Sequence, residues 1–192
     1  GARKSVSPFY LAKYPVTYAQ YEAFVEASVG FDNPRWWRGM PSLYTPPTDG
    51  LDAQRNTLGN APRDNVSWYQ AVAFTRWLTA ELNSHSGSAT SGGSRVNGST
   101  WEARLPTEWE WQWAAQSGSA KREYPWGSWQ DGHANVAGVL NATTAVGMYP
   151  QGASASGVLD LSGNVWEWCL SKYYAPHSTT VDATNAYRVL RG

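Results

Sequence analysis

The sequence predicts an α+β domain in which regular structure is sparse and ordered loops carry much of the fold. Three observations lead there. Three segments open with the local chemistry of a helix N-terminus, a few short stretches have strand character, and twelve Trp and eleven Tyr stand beside eighteen Gly and eleven Pro. Large rings supply much apolar area per residue, so they hold together chain that has few ladder hydrogen bonds, while Gly and Pro punctuate it. At 192 residues the chain fits a single domain over 1–192, long enough to bury a core without disulfides or a metal.

In chain order, Ser7 to Tyr14 has the character of a short strand. Thr17 with Gln20 forms the first capping box, in which hydroxyl and amide satisfy one another's free backbone donors. Tyr21, Phe24 and Val25 then share one helical face, and Gly30 is the expected stop. The irregular stretch Phe31 to Pro47 contains Pro34-Arg35-Trp36-Trp37-Arg38-Gly39, read as packing over the core with Arg stacked on Trp. Ser67 with Gln70 opens a second helix carrying Ala71, Phe74, Leu78 and Leu82 at helical spacing. Asn83 to Thr100 has almost no apolar content and is expected to be a mobile surface insertion. A further short strand is expected before Pro106, and Thr107 with Glu110 caps a third helix, with Trp109 and Trp113 stacked one turn apart and Gly118 as its stop. Tyr187 to Leu190 is the last predicted strand.

Composition excludes several classes of function. Fifteen basic and fifteen acidic residues give a formal net charge of zero, without the electrostatic footprint of a nucleic-acid binder. The chain has no apolar run of membrane-spanning length and no signal-peptide core, so it reads as soluble, without membrane insertion. The single cysteine, Cys169, permits no internal disulfide framework, leans toward a reducing, cytoplasmic setting, and reads as a small buried hydrophobe. His133 and His177 lie far apart, His85 falls in the polar tract, and the chain has neither a phosphate-binding glycine loop nor a Gly-x-Ser-x-Gly elbow.

The most informative stretch is Gly157-Val158-Leu159-Asp160-Leu161-Ser162-Gly163-Asn164-Val165-Trp166-Glu167-Trp168. It places two carboxylates around a glycine turn among tryptophans, with no basic residue near in sequence. A carboxylate beside apolar rings loses hydration and is normally paired, hydrogen-bonded or bound to a cation. Two readings stand on spacing alone. One is a capped turn under the rings with Glu167 bonded to backbone amides. The other is a calcium site, in which Asp160 and Glu167 alternate with the carbonyls of Gly163 and Val165.

Several motifs occur in a definite order: Pro15-Val16-Thr17, Asn65-Val66-Ser67-Trp68, Arg104-Leu105-Pro106-Thr107-Glu108-Trp109-Glu110-Trp111, Tyr124-Pro125-Trp126-Gly127, Gly163-Asn164-Val165-Trp166-Glu167-Trp168 and Arg188-Val189-Leu190-Arg191-Gly192. In this order the chain resembles the sulfatase-modifying-factor family, named for the formylglycine-generating enzyme. The resemblance implies a C-type-lectin-like fold with a twisted antiparallel sheet, two main helices and extensive ordered loops. It further implies a structural calcium held by the side chains of Asp160 and Glu167 and the carbonyls of Gly163 and Val165. A second calcium site of the family would begin at Asn135 with the carbonyl of Val136. Its acidic ligand is missing, since Ala137 to Ala142 offers no aspartate.

The resemblance carries two function classes. One is a scaffold for a protein or small-molecule ligand, similar to the variable proteins of diversity-generating retroelements, whose binding surface would follow Gly192. The alternative is a copper-dependent oxidase of the formylglycine-generating type acting on a substrate cysteine, or a related sulfoxide synthase. Its copper-binding cysteine pair would follow the same Arg-Gly motif, so copper is expected only if the chain continues past Gly192. Both ends of the sequence read as open. Thiolate-bound copper needs at least two thiolates in reach and Cys169 supplies one, so binding without catalysis is the favoured expectation.

Overall fold

The computed structural model describes residues 5–85, 100–136 and 140–192. All three predicted helix starts are present: α1 (Tyr18–Glu26), α2 (Trp68–His85) and α3 (Glu108–Ala115). Each is capped reciprocally. Gln20 Oε1 accepts the Thr17 N–H at 2.9 Å, Gln70 Oε1 accepts the Ser67 N–H at 2.9 Å, and Glu110 Oε2 accepts the Thr107 N–H at 2.8 Å. The three hydroxyls accept the return bonds from the N3 amides.

The helix ends fall short of the expected glycines. α1 stops at Glu26 because the chain folds back at once: the Phe31 N–H donates to the Phe24 carbonyl at 3.0 Å, and a Cβ on Gly30 would lie 2.0 Å from that oxygen. α3 stops at Ala115, where Ser117 turns into the left-handed region at φ +56°. Inside α3, Trp109 lies against His177 at 5.0 Å and Trp113 is turned outward, in place of the expected stack. α2, in contrast, runs on through Asn83 to His85. The Asn83 amide clamps the returning chain, donating to the Trp101 carbonyl at 2.8 Å and accepting the Trp101 N–H at 3.0 Å. The rest of the polar tract, 86–99, lies outside the described residues.

Among the described residues the sheet has two antiparallel strands, β1 (Glu167–Lys172) and β2 (Arg188–Arg191), with Glu167 opposite Arg191 and Trp168 opposite Leu190. β2 is the predicted last strand displaced by one residue. The expected strand at 7–14 is extended chain without a ladder, held by one backbone bond from the Leu159 N–H to the Lys13 carbonyl at 2.7 Å. Pro8 within it and Pro15 just after it remove donors. The segment before Pro106 also fails to become a strand. The Pro106 carbonyl accepts the Leu170 N–H at 2.8 Å on the outer edge of β1, but proline has no N–H to continue the pairing.

The core has two parts. In the first, Tyr21, Phe24, Phe31, Trp36, Trp37, Trp68 and Phe74 bury their rings between α1, α2 and the 3-10 turn Pro34–Trp37. The Trp36 and Trp37 indoles donate to the carbonyls of Val29 and Phe31, and the Arg35 guanidinium lies 4.3 Å over the Trp36 ring, as the sequence indicates. The second part is smaller, with Trp111, Leu161, Cys169 and Val189 beneath α3 and the sheet. Two indoles tie the start of α2 to β1: Trp68 donates to the Cys169 carbonyl at 3.0 Å, and Trp168 donates to the Val66 carbonyl at 2.9 Å. No helix among the described residues is long and apolar enough to cross a membrane.

α3 is anchored by charge. Arg104 makes two bonds to the Glu110 carboxylate, at 2.6 and 2.7 Å, and the Glu110 side chain is 8% exposed. Burial works to raise the pKa of Glu110, but the bonds from Arg104 and Thr107 outweigh it and hold the carboxyl below its ordinary value. A carboxyl depressed by folding contributes stability above its unfolded pKa and loses it as pH falls through the folded one. Glu110→Gln should therefore cost about 1–3 kcal/mol at neutral pH. In thermal melts the gap between wild type and variant should close as the pH is lowered below the ordinary carboxylate range.

Candidate functional site

The Asp160 to Glu167 segment is wound tightly. Asp160, Gly163 and Asn164 all adopt positive φ, at +58°, +84° and +66°. Asp and Asn tolerate that region better than other side chains. Gly163 is required by space as well as conformation, since a Cβ there would lie 2.2 Å from the Asn135 carbonyl oxygen.

The turn brings the two acids into one buried region. Asp160 is 8% exposed, and its Oδ2 accepts the Gly147 N–H at 2.6 Å. Glu167 Oε2 accepts the Trp111 indole N–H at 3.2 Å, while its Oε1 is sealed from solvent with no hydrogen-bond partner. Among the described residues neither carboxylate pairs with a Lys, Arg or His. Burial pushes Glu167 up to about 8, against the Trp111 hydrogen bond, and the charge of Asp160 adds to the rise. Burial also raises Asp160, opposed by the Gly147 amide. The bond to Glu167 therefore comes from an indole and not from the backbone amides of the capped-turn reading.

An orphaned carboxylate oxygen beside a second acid fits a hard cation. Among the described residues no cluster of three or more His, Cys, Asp or Glu exists, so a cation here would draw on carbonyl oxygens too. That mixture suits calcium. The Gly163 carbonyl accepts the Val165 N–H at 2.9 Å and keeps a second lone pair. The Val165 carbonyl lies against Gly192, where a Cβ would come within 2.6 Å of it. Of the second residue set, Asn135 is 8% exposed and turned toward the same loop: its carbonyl accepts the Asn164 N–H at 2.7 Å, and its Nδ2 donates to the Ala142 carbonyl at 2.8 Å. Val136 is half-buried, its Cγ1 lying 3.5 Å from where a Cβ on Gly163 would stand. Residues 137–139 lie outside the described residues.

Beside this centre opens a cleft of about 220 Å³ lined by Trp111, Gln112, Trp166, Leu190, Arg191 and Gly192, among others. Trp111 belongs to both places. Its indole N–H holds Glu167, and the Arg191 guanidinium lies 5.2 Å over its ring and bonds to Gln112. Sequence reasoning missed Trp111, Gly147 and the cleft; the only available signal was that the Arg188–Gly192 motif and the Gly163–Trp168 motif both had to be satisfied somewhere.

Cys169 is fully buried, and burial first, then the charge of Glu167, pushes its thiol up to about 12. A single, solvent-sealed thiol does not supply the pair of thiolates that a thiolate-bound copper ion needs. His133 lies against Trp126 at 5.4 Å and His177 against Trp109, so both act in packing.

The close approach at Gly163 gives a direct test. Gly163→Ala should destabilise by more than the roughly 1 kcal/mol of conformational strain, because the added methyl collides with backbone. Urea melts should show a markedly lower midpoint, whereas Gly132→Ala, at φ +77° in open space, should show strain alone.

Comparison with known proteins agrees with this architecture. A family model described as the sulfatase-modifying factor enzyme 1-like domain matches residues 2–192. The chain is 30% identical to hercynine oxygenase of Mycolicibacterium smegmatis over 220 residues, covering 97% of this chain and 46% of that protein. It is 32% identical to the formylglycine-generating enzyme of Streptomyces coelicolor over 180 residues, covering 82% and 49%. The chain thus spans about half the length of these relatives. Among solved structures, Treponema denticola variable protein 1 shares the fold with a TM-score of 0.55 at 24% identity, over 93% of this chain and 70% of that one. With a family model matched across nearly its whole length and a buried centre formed by the motif residues, this chain belongs to the sulfatase-modifying factor enzyme 1-like family.

Proposed function

We propose that this domain is a ligand-binding scaffold of C-type-lectin-like fold, comparable in role to a variable protein, with a structural calcium at Asp160, Gly163, Val165 and Glu167. Its ligand, a protein or a small molecule, would engage the surface around the cleft at Arg191 and Gly192. The observation that carries this reading is the cleft where Trp111, Trp166, Arg191 and Gly192 meet, while Cys169, the one cysteine of the sequence, is fully buried and does not line it. Calcium, when bound, would supply the positive charge that Glu167 and Asp160 lack. With Glu167 held ionised, its Oε2 keeps the Trp111 indole in place, and Trp111 in turn supports Arg191 at the cleft wall. Asn135 and the Val136 carbonyl are a weaker second cation set, without an acidic partner in the sequence between Ala137 and Ala142.

A second reading has specific support. Relatives named as a formylglycine-generating enzyme and a hercynine oxygenase are 32% and 30% identical. A copper-dependent oxidase on this scaffold would need its thiolate pair from residues outside this sequence. The two readings separate when the full-length protein is assayed: incubated with copper and a Cys-x-Pro-x-Arg peptide it should leave the peptide thiol intact, and consumption of that thiol would contradict the binding reading.

The calcium is tested by heat. A ligand that binds only the folded state at a hundred times its Kd stabilises by about 2.7 kcal/mol. Chelation should lower the melting temperature accordingly, and Asp160→Ala should abolish the response to calcium. A chelator-insensitive wild type would remove the ion from the site.

A further inference from the structure

We infer that Asn164 is the positioning residue of the cation centre: its side-chain amide and backbone N–H lock the Gly163–Asn164 peptide, and with it the Gly163 carbonyl, in place and couple that turn to Asn135. This inference rests on the calcium reading above. Asn164 sits between the two carbonyl donors at φ +66°. Its Oδ1 accepts the Thr144 N–H at 2.9 Å, with Thr144 Oγ1 and Asn135 Nδ2 each at 3.3 Å, and its Nδ2 donates to the Thr144 carbonyl at 3.3 Å. The amide therefore does for Thr144 what an adjacent strand would do, accepting from its N–H and donating to its C=O. Asp offers no donor for this, and Gln places its amide one carbon farther out.

The backbone of Asn164 makes the second link. Its N–H donates at 2.7 Å to the Asn135 carbonyl, the same atom that leaves no room for a Cβ at Gly163. Asn135 and Thr144 are each 8% exposed, so these bonds lie in a buried setting where leaving one unmade is costly. With both ends of its amide engaged, Asn164 is not itself a ligand. It fixes the Gly163 carbonyl directly, reaches Val165 through the Val165 N–H bond to that same carbonyl, and through Asn135 connects this centre to the Asn135–Val136 pair.

Terbium, which takes calcium's oxygen ligands and is sensitised by nearby indoles such as Trp111, provides the readout. Wild type should show saturable Trp-sensitised terbium luminescence that calcium displaces. Asn164→Ala should raise the terbium Kd by about tenfold or more, the range expected when a residue that orients ligands is lost. Thr144→Val, which removes one contact to Oδ1, should raise it by a smaller factor of about three. Val72→Ala, in the distant core, should lower the melting temperature and leave the Kd within twofold. Circular dichroism at the assay temperature establishes that each apo variant is folded; should Asn164→Ala not fold, Thr144→Val decides. A Kd within twofold of wild type in the deciding variant overturns the inference, as does an equal rise in Val72→Ala. Absence of saturable luminescence from wild type would instead overturn the calcium reading itself and this inference with it.

Discussion

One buried carboxylate constrains the organisation of this domain. Glu167 begins β1, lies opposite Arg191 in β2, takes the indole N–H of Trp111 from α3 and keeps one oxygen sealed and unpartnered beside Asp160. α3, β1 and β2 therefore meet at a group that is costly to ionise where it stands. Two states relieve that cost, a proton or a cation. A proton would leave Asp160 and Glu167 as a neutral-charged pair with a spare donor. A cation would bind both acids and would draw further oxygens from the carbonyls of the turn that joins them, in which Asp160, Gly163 and Asn164 are left-handed.

The rest of the fold follows an unusual division of labour. Among the described residues the ladder is a single strand pair, so the long connections are held by side chains that imitate backbone. Asn83 clamps Trp101, and Gln54 accepts from both Arg63 and the Asp64 N–H while donating to the Pro62 carbonyl. Asn164 clamps Thr144 in the same manner. Indoles act likewise over longer spans, with Trp68 and Trp168 joining α2 to β1. Each such group supplies apolar area on one side and a single aimed donor on the other, which is how a loop-rich chain avoids orphaned carbonyls.

What was legible in the sequence was local. The three capping boxes needed only four residues each, and all three formed. The Arg35 stack on Trp36 and the core role of Cys169 were also readable, because neighbours in sequence or a lone residue type decided them. The strands were less readable. Ser7 to Tyr14 and the residues before Pro106 have strand character, but whether they join a ladder depends on donors that proline withholds and on a distant edge. The site was half legible. Asp160 and Glu167 announced themselves as acids among rings, and the glycine at 163 as a turn. Trp111 did not, since its bond to Glu167 spans 56 positions, and neither did Asn164, whose partners Asn135 and Thr144 are separated from it by 29 and 20. Side-chain partners at such distances leave no periodicity to read.

The central claim is that the buried acids Asp160 and Glu167 share a cation and not a proton. High-resolution diffraction from crystals grown in calcium tests it most directly. The predicted result is a density peak bound by Glu167 Oε1 and Asp160 at about 2.3–2.6 Å, with carbonyl oxygens completing its shell. A map with no ion there and a Glu167 carboxyl hydrogen-bonded through its own proton would contradict the account.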